Sequence, residues 1–495
     1  MFSEFVDAKR VAKWLLPNSF FMLVCAILTC IFIDARPAYT LPVSHSVSVR
    51  AIPAFARKYG LPCSACHTAW PELNYFGLAF RDRGYQLGNE RDSPIWQNPS
   101  YWPVTARITP NWHRESTDQQ QTDAVPGNPT SGLGPPGTVM QHGFDLSGMD
   151  LWLSGTLYKN ISFSLLPSSD STATFHFENA LVRFDNLAGS EWLNLEFGRF
   201  ELDNLISEKR FLFLSANGGI YQNYHFLPVG DSNTFGLGDN QMGIALQGHS
   251  ANSYTRYTVA VLSSSEGGVG FTNTVRAPTP ANNTTGRDYD ISLAFTQGFQ
   301  TGSLGVQRFQ PYFYYGHRPT VFNQTVGGVP IPGTGTGNEP FYRIGVQSDL
   351  FLGKFEFLPF FQHAKDNAFL ANSVPSNTPL SPGMQDAIWN GGFIETHYYV
   401  SPKLVFTQRW EIVRMAQQGN TATPNTQGNI DAYSFGSRWY PIMFSRAGLA
   451  WHMEYSIVKS IGIVPLSRNG SGVPPLTPTT PVWGSSAFVG FDFDF

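Results

Sequence analysis

The sequence has few cysteines and few charges for its length. Only four of its 495 residues are cysteine, so a disulfide-dense fold is excluded. Charged residues make up 14% of the chain, which is low for a soluble protein. The net charge is −4, and such a chain lacks the excess of lysine and arginine that nucleic-acid binding needs. We therefore expect no nucleic-acid partner.

Long apolar runs are also scarce. One run, Phe20 to Ile33, follows the basic residues Lys9, Arg10 and Lys13. It is short for a membrane span and has the layout of a secretory signal. We predict a signal peptide within residues 1–40 and an exported mature chain, with a retained membrane anchor as the alternative. Because no later run is long and apolar, a bundle of transmembrane helices is excluded.

Aromatic residues and a two-residue alternation take the place of those runs. Aromatics make up 15% of the chain. In GLAWHMEYSI, residues 448–457, and in the final ten residues SAFVGFDFDF, apolar and polar side chains alternate. Successive side chains of a strand point to opposite faces, so each segment has one apolar and one polar face. About sixteen such segments follow residue 100, a pattern typical of a closed membrane barrel.

The connections between these segments support the same fold. Short turns alternate with long polar connections rich in glycine, proline, threonine and asparagine, as in a barrel with both termini in the periplasm. We predict a mostly β protein: an outer-membrane antiparallel β-barrel of about 16 strands over residues 101–495. The longest connection, at about 201–239, is either a constriction folded into the lumen or an ordinary surface loop.

Two cysteines lie in one short cluster, LPCSACHTAW. Cys25 and Cys30 fall in the apolar N-terminal run and would leave with it. Cys63, Cys66 and His67 form the Cys-x-x-Cys-His signature of c-type haem attachment, in which both sulfurs bond the porphyrin and the histidine binds the iron. A disulfide, a redox dithiol and half a zinc site are the alternatives. Zinc needs more ligands nearby, and the dithiol needs a βαβ setting. We predict one covalent haem c.

The second axial ligand of the iron is less well marked. No methionine occurs between Met22 and Met140, so a methionine from inside the N-terminal segment is excluded. His45 and His113 are the leading candidates. The other candidates are an open or water-bound position and the side chains of Met140, His142 and Met149.

The predicted cytochrome segment, residues 41–100, is short for a domain that encloses a haem. A domain this small buries little core of its own. The barrel mouth or lumen could supply the missing wall, and a flexible periplasmic domain is the alternative. The basic residues that could pair with a haem propionate are Arg57, Lys58, Arg81 and Arg83.

The stretch AIPAFARKYGLPCSACHTAWPELNYFGLAFRDRGYQLG, residues 51–88, resembles the haem segment of fused monohaem cytochrome-porins, the outer-membrane iron oxidases of iron-oxidising bacteria. The chain departs from that family at Lys58 and Tyr59, where the family has glutamine and threonine, and at Leu78, where it often has arginine. These departures leave the branch of the family and the electron donor open. The shared features are Pro-Ala-Phe-Ala-Arg at 53–57, Gly60, the haem motif, Pro71, Leu73, Gly77, Phe80 and Gly84-Tyr85.

The resemblance implies one-electron oxidation of extracellular Fe(II) at the haem. Electrons would pass to periplasmic carriers such as soluble cytochromes or copper proteins, as in a redox protein of the Fe(II):cytochrome c oxidoreductase type embedded in outer-membrane lipid. The sequence leaves two alternatives: the same haem could export electrons to an extracellular acceptor, or the barrel could be a diffusion porin with an accessory cytochrome. No dense carboxylate cluster along the sequence marks an iron site.

Overall fold

The structure is a computed structural model. It divides the chain into two units, Met1–Ser48 and Val49–Phe495. The predicted signal peptide and His45 lie outside the described residues, all of which belong to the second unit. The residues described are 54–59, 61–87, 104–126, 128–169, 175–210, 212–233, 235–263, 289–319, 323–326, 329–332, 338–374, 378–443, 448–464 and 477–494.

Sixteen antiparallel strands form a closed barrel. The last strand pairs with the first, with Ala487 opposite Arg114, so the sheet has no free edge. The strands are β1 (Val104–Gln120), β2 (Gly137–Tyr158), β3 (Ile161–Ser169), β4 (Phe175–Phe184), β5 (Asn194–Glu201), β6 (Asn240–His249), β7 (Thr255–Leu262), β8 (Asp290–Gln300), β9 (Val306–Pro319), β10 (Asn338–Leu352), β11 (Phe355–Asp366), β12 (Ala387–Ser401), β13 (Leu404–Gln417), β14 (Ile430–Met443), β15 (Gly448–Ile461) and β16 (Pro481–Asp494). The sixteen-strand prediction is confirmed.

The outer face of the barrel is apolar, and its interior carries many polar side chains beside clusters of buried aromatic and aliphatic ones. In β16 the alternation decides the orientation, because Asp492 is fully buried while Phe493 is 41% exposed. Large side chains exposed on the outer face include Ile244, Val259, Ile291, Phe309, Ile344, Phe361, Ile394 and Trp410. Buried polar side chains on the strands include Gln310, Gln347, Glu395, Glu411 and His452. An outer band of this kind suits hydrocarbon.

The long connection 202–239 crosses the lumen. Its backbone amides donate hydrogen bonds to side chains on strands from several sides of the wall. These bonds run from Leu205 N to Gln310 Oε1 at 2.7 Å, from Ser215 N to Glu454 Oε2 at 2.6 Å, from Asn217 N to Ser486 Oγ at 3.1 Å and from Asn223 N to Glu411 Oε1 at 2.6 Å. The acceptors belong to β9, β15, β16 and β13. The interpretation as a constriction, and not as a surface loop, agrees with the structure.

The N-terminal segment, defined as residues 54–87, is built from small elements. They are α1 (Ala54–Tyr59), α2 (Cys63–Cys66), a hairpin of His67–Ala69 with Glu72–Leu73, and α3 (Tyr75–Asp82). Asn74 begins α3 by accepting a hydrogen bond on Oδ1 from Gly77 N at 3.0 Å, the usual role of an N-cap asparagine. Positive φ values at Gly84 and Tyr85 end it. None of the described helices is long and apolar enough to span a membrane.

The remaining elements lie in the connections. Among the described residues they are a fourth short α-helix, α4 (Ala368–Ala371), two 3-10 helices, Leu187–Gly189 and Gly302–Leu304, and two small hairpins, Asp123–Val125 with Asn128–Leu133 and Asn323–Val326 with Val329–Pro332. The predicted alternation of connections is also present: β2 to β3, β10 to β11 and β12 to β13 are joined by two-residue turns. We call the end of the barrel that carries these turns the short-turn end.

Candidate functional site

The N-terminal segment lies inside the barrel at its short-turn end. The carbonyl oxygen of Trp70 accepts hydrogen bonds from Arg438 Nη1 at 2.7 Å and from Tyr440 Oη at 2.6 Å. Gln86 Nε2 donates to the carbonyl oxygen of Lys159, in the turn between β2 and β3, at 2.7 Å. These contacts attach the segment to separate parts of the wall.

Charged groups of the wall hold α3 in the same way. Arg183 Nη2 donates to the carbonyl oxygens of Arg81 at 2.8 Å and Asp82 at 3.1 Å. The carboxylate of Asp82 pairs with Arg256 Nε at 3.3 Å. The described residues of the segment thus contact the strands at several points, which is the arrangement that the lumen alternative predicts.

Residues at the start of α3 hydrogen-bond to the backbone of the haem motif. Asn74 N donates to the carbonyl oxygen of Cys66 at 2.9 Å, and Asn74 Nδ2 donates to that of Ala65 at 3.0 Å. At Gly77 a β-carbon would lie 2.2 Å from the oxygen of Cys66, so only glycine allows the helix to approach this closely. Cys63 and Cys66 are not joined by a disulfide, and both are half-buried.

His67 is oriented through one ring nitrogen. Its Nδ1 lies 3.2 Å from the carbonyl oxygen of Pro71 and 3.1 Å from that of Glu72. Because carbonyl oxygens only accept, these contacts place the proton on Nδ1 and leave Nε2 as the metal-binding nitrogen. Burial lowers the pKa of His67 to about 4, even though the two carbonyls favour the protonated ring. The imidazole is therefore neutral near pH 7, which is the form that binds metals.

A cavity of about 210 Å³ opens in front of this motif. Aromatic and aliphatic side chains form most of its wall, and two arginines, Arg81 and Arg210, reach it. The N-terminal segment contributes Phe55, Tyr59, Leu61, Pro62, Cys63, Cys66, His67, Trp70, Pro71, Leu73, Gly77, Phe80 and Tyr85, and the strands contribute Thr105, Trp152, Ser154, Ser164 and Asn179.

These residues fit a covalent haem. Both thiols and His67 line one cavity, as thioether attachment with a proximal histidine requires. The apolar wall suits the porphyrin, and the arginines are suited to its propionates because guanidinium groups pair well with carboxylates. Of the four basic residues predicted for that pairing, Arg81 lines the cavity, while Arg83 donates to the carbonyl oxygen of Ala251. Lys58 lies over the ring of Tyr59, and the side chain of Arg57 lies outside the described part of the chain.

The structure does not bring His113 to the cavity. Thr105 lines it, and His113 is eight residues further along β1, a distance of about 26 Å along a strand. The Nδ1 atom of His113 lies 3.3 Å from Asn111 Oδ1. Met140 and His142 are exposed near the start of β2. Among the described residues that line the cavity, His67 is the only histidine and there is no methionine.

Several site residues carry no local sequence signal. Arg210 comes from the long connection, and Trp152, Ser164 and Asn179 come from β2, β3 and β4. In the sequence they appear as ordinary loop and strand residues. Their inward direction follows from strand alternation, but their height in the barrel depends on how the sheet closes.

Comparisons with known proteins find porins by structure alone. No protein-family model and no curated protein matches the sequence. The outer membrane channel DcaP of Acinetobacter baumannii aligns at 10% identity with a TM-score of 0.44, over 78% of this chain and 97% of that chain. The anion-selective porin from Comamonas acidovorans aligns at 9% identity with a TM-score of 0.45, over 79% of this chain and 100% of that chain. OprB of Pseudomonas putida aligns at 9% identity with a TM-score of 0.43, over 79% of this chain and 94% of that chain. Similarity at this level assigns no function, and the barrel is established by the chain's own strand pairing.

Proposed function

We propose that the protein is an outer-membrane electron-transfer protein that holds one covalent haem c inside its barrel. The observation that carries the proposal is the arrangement of Cys63, Cys66 and His67 around one largely apolar cavity, with Nδ1 of His67 engaged by backbone carbonyls. That geometry suits a haem better than a zinc ion or a disulfide. A c-type haem supplies a one-electron couple at its iron.

Each residue of the site has a distinct role in this proposal. Cys63 and Cys66 would form the thioether attachments, and His67 would hold the iron through Nε2. Arg81 and Arg210 neutralise the propionates. The aromatic wall and the strands behind it exclude water, which helps to set the potential of the iron.

The surface of the barrel supports the outer-membrane location. The outward side chains include many large apolar ones, and closure of the sheet leaves no unpaired edge in lipid. In barrels of this class the short turns face the periplasm. The N-terminal segment at that end would then be within reach of a periplasmic cytochrome or copper protein.

The substrate side of the proposal is oxidation of extracellular Fe(II), which the resemblance of residues 51–88 implies. The competing direction is export of electrons to an extracellular acceptor. The two differ in the potential of the iron, because Fe(II) can donate only to a couple of higher potential than its own.

A diffusion porin is the second candidate, and the closed barrel is the observation that favours it. The N-terminal segment and the connection 202–239 both occupy the lumen, which favours electron transfer over passage of solutes. A liposome-swelling assay separates the two: the electron-transfer proposal predicts little entry of small sugars, and rapid entry would favour the porin.

The test of the haem is made on full-length protein matured in a host that attaches haem c. The wild type should keep haem-linked peroxidase stain on a denaturing gel, and the double variant Cys63→Ala, Cys66→Ala should lose it. The matched control is Ser64→Ala, which changes the residue next to Cys63, leaves both thiols in place and should keep the stain. Persistent stain in the first double variant would overturn the assignment.

A further inference from the structure

A second polar cluster lies beside the haem cavity, and no part of the sequence indicates it. Glu72 of the hairpin, Glu356 of β11 and His397 of β12 bring two carboxylate oxygens and one ring nitrogen within 4.8 Å of one another. His397 Nδ1 lies 2.9 Å from Glu356 Oε2 and 3.2 Å from Glu72 Oε2. Closure of the barrel thus brings together a cluster of carboxylates that are not clustered along the sequence.

The other nitrogen of His397 is already occupied. Its Nε2 lies 2.8 Å from Glu395 Oε1, and the second oxygen of Glu395 lies 3.4 Å from Arg409 Nη1. A metal-binding histidine characteristically donates its remote N–H to a carboxylate that is itself held in place. Carboxylates only accept hydrogen bonds, so without an ion both ring nitrogens of His397 would donate. A cation bound at Nδ1 would replace the proton there and leave the proton on Nε2.

Neighbouring cations do not neutralise these two carboxylates. Arg308 pairs with Asp349 at 3.4 Å, and Arg409 pairs with Glu395. Among the described residues, the ion pairs of Glu72 and Glu356 are with His397 alone. Two carboxylates that share one imidazole are short of positive charge, because a buried carboxylate is costly without a partner.

A third carboxylate, that of Asp349, lines the same cavity as Glu356 and His397, beside the haem cavity. Asp349 is more than nine-tenths buried, and within the described part of the chain its Oδ1 has no hydrogen-bond partner. A buried acceptor without a donor indicates that a group is missing from its surroundings, and a cation there would satisfy it.

We propose that Glu72, Glu356 and His397 bind a divalent first-row transition-metal ion. One imidazole and two carboxylates form a donor set that suits Fe(II), Mn(II) or Zn(II). The distances fit, since ligands that bind an ion at about 2.1 Å lie about 3.0–3.4 Å from each other. Tyr399 holds both carboxylates through its hydroxyl, which lies 3.0 Å from Glu72 Oε2 and also contacts Glu356.

The proposed ion site does not require the haem, but the two sites share one residue, Glu72. Glu72 offers its side chain to the ion and its backbone oxygen to Nδ1 of His67. An ion here also ties the N-terminal segment to β11 and β12. The ion is bound whether or not His67 carries haem iron, so the two proposals can fail separately.

The test uses Mn(II) as the probe, with binding to the purified full-length protein followed by electron paramagnetic resonance and calorimetry. We expect one tight site, with affinity reduced at least tenfold in Glu72→Gln, Glu356→Gln and His397→Gln. The matched control is His225→Gln, which removes another histidine paired with a carboxylate, Glu208, at 2.6 Å. It should bind Mn(II) as the wild type does.

Folding is checked on each variant by retention of heat-modifiable migration on gels. Absence of a tight Mn(II) site in the wild type would overturn the proposal. Wild-type affinity for Mn(II) in the three site variants would also overturn it. A third contrary result would be a nitrogen NMR spectrum of the Zn(II)-saturated protein, Zn(II) being diamagnetic, that shows His397 protonated on both ring nitrogens. Loss of haem stain alone would leave this result unaffected and count only against the proposed function.

Discussion

Two histidines, His67 and His397, lie on either side of Glu72 and have opposite surroundings. His67 directs Nδ1 to backbone carbonyls and faces an apolar cavity. His397 has carboxylates at both ring nitrogens. In the two proposals the same ring would serve differently: as a neutral ligand of haem iron at His67, and as part of an anionic cation site at His397. The difference comes from the partners of each ring.

The largest effect should follow from removing the ring of His67. In His67→Ala the two thioethers still hold the haem, but the iron loses its axial ligand and the visible spectrum changes completely. Added imidazole should restore much of it. His397→Ala is the control and should leave the haem spectrum unchanged. Equal spectral change in both variants would contradict the distinction between the two histidines.

The next effect concerns the close approach of α3 to the haem motif. In Gly77→Ala the new β-carbon meets the oxygen of Cys66 at 2.2 Å, so the variant should destabilise the segment by about 1–3 kcal/mol. Limited proteolysis of the N-terminal segment measures this. Gly143→Ala, where no atom lies within 4 Å of the added carbon, is the matched control. Equal protease sensitivity in the two variants would be evidence against the packing described.

A smaller effect is expected from the charges at the cavity. Arg81→Gln removes a positive charge that disfavours the oxidised iron. The midpoint potential should therefore fall by about 40 mV, which for one electron corresponds to about 1 kcal/mol. Arg83→Gln is the control, because Arg83 donates to the carbonyl oxygen of Ala251 and does not line the cavity. A rise in potential, or equal shifts in both variants, would refute the role given to Arg81. Redox titration of the haem absorbance is the measurement.

The smallest effect on the haem should come from Glu72→Gln. The variant keeps the backbone oxygen that holds His67, so the haem spectrum should stay as in the wild type while Mn(II) binding is lost. A spectrum changed as in His67→Ala would show that the two sites are one. Parallel absorbance and Mn(II) titrations of the same sample decide this.

Local patterns in the sequence predicted the strands and the haem motif, but not the second cluster. The alternation along β16 predicts which of its side chains face lipid and which face the lumen. The haem motif is a signal contained in the five residues from Cys63 to His67. Glu72 and His397 are more than 300 positions apart, and only closure of the barrel around the N-terminal segment brings them together. His113 shows the same limit: it lies on β1, whose Thr105 reaches the cavity, but too far along the strand.

The most direct test of electron transfer from iron mixes purified, oxidised protein in detergent with Fe(II) and follows the haem absorbance. We predict reduction at a rate proportional to the Fe(II) concentration. We also predict that His67→Ala loses this reaction while its barrel still folds. A haem that stays oxidised in excess Fe(II) from acidic to neutral pH, yet is reduced at once by a strong chemical reductant, would contradict Fe(II) oxidation and favour electron export.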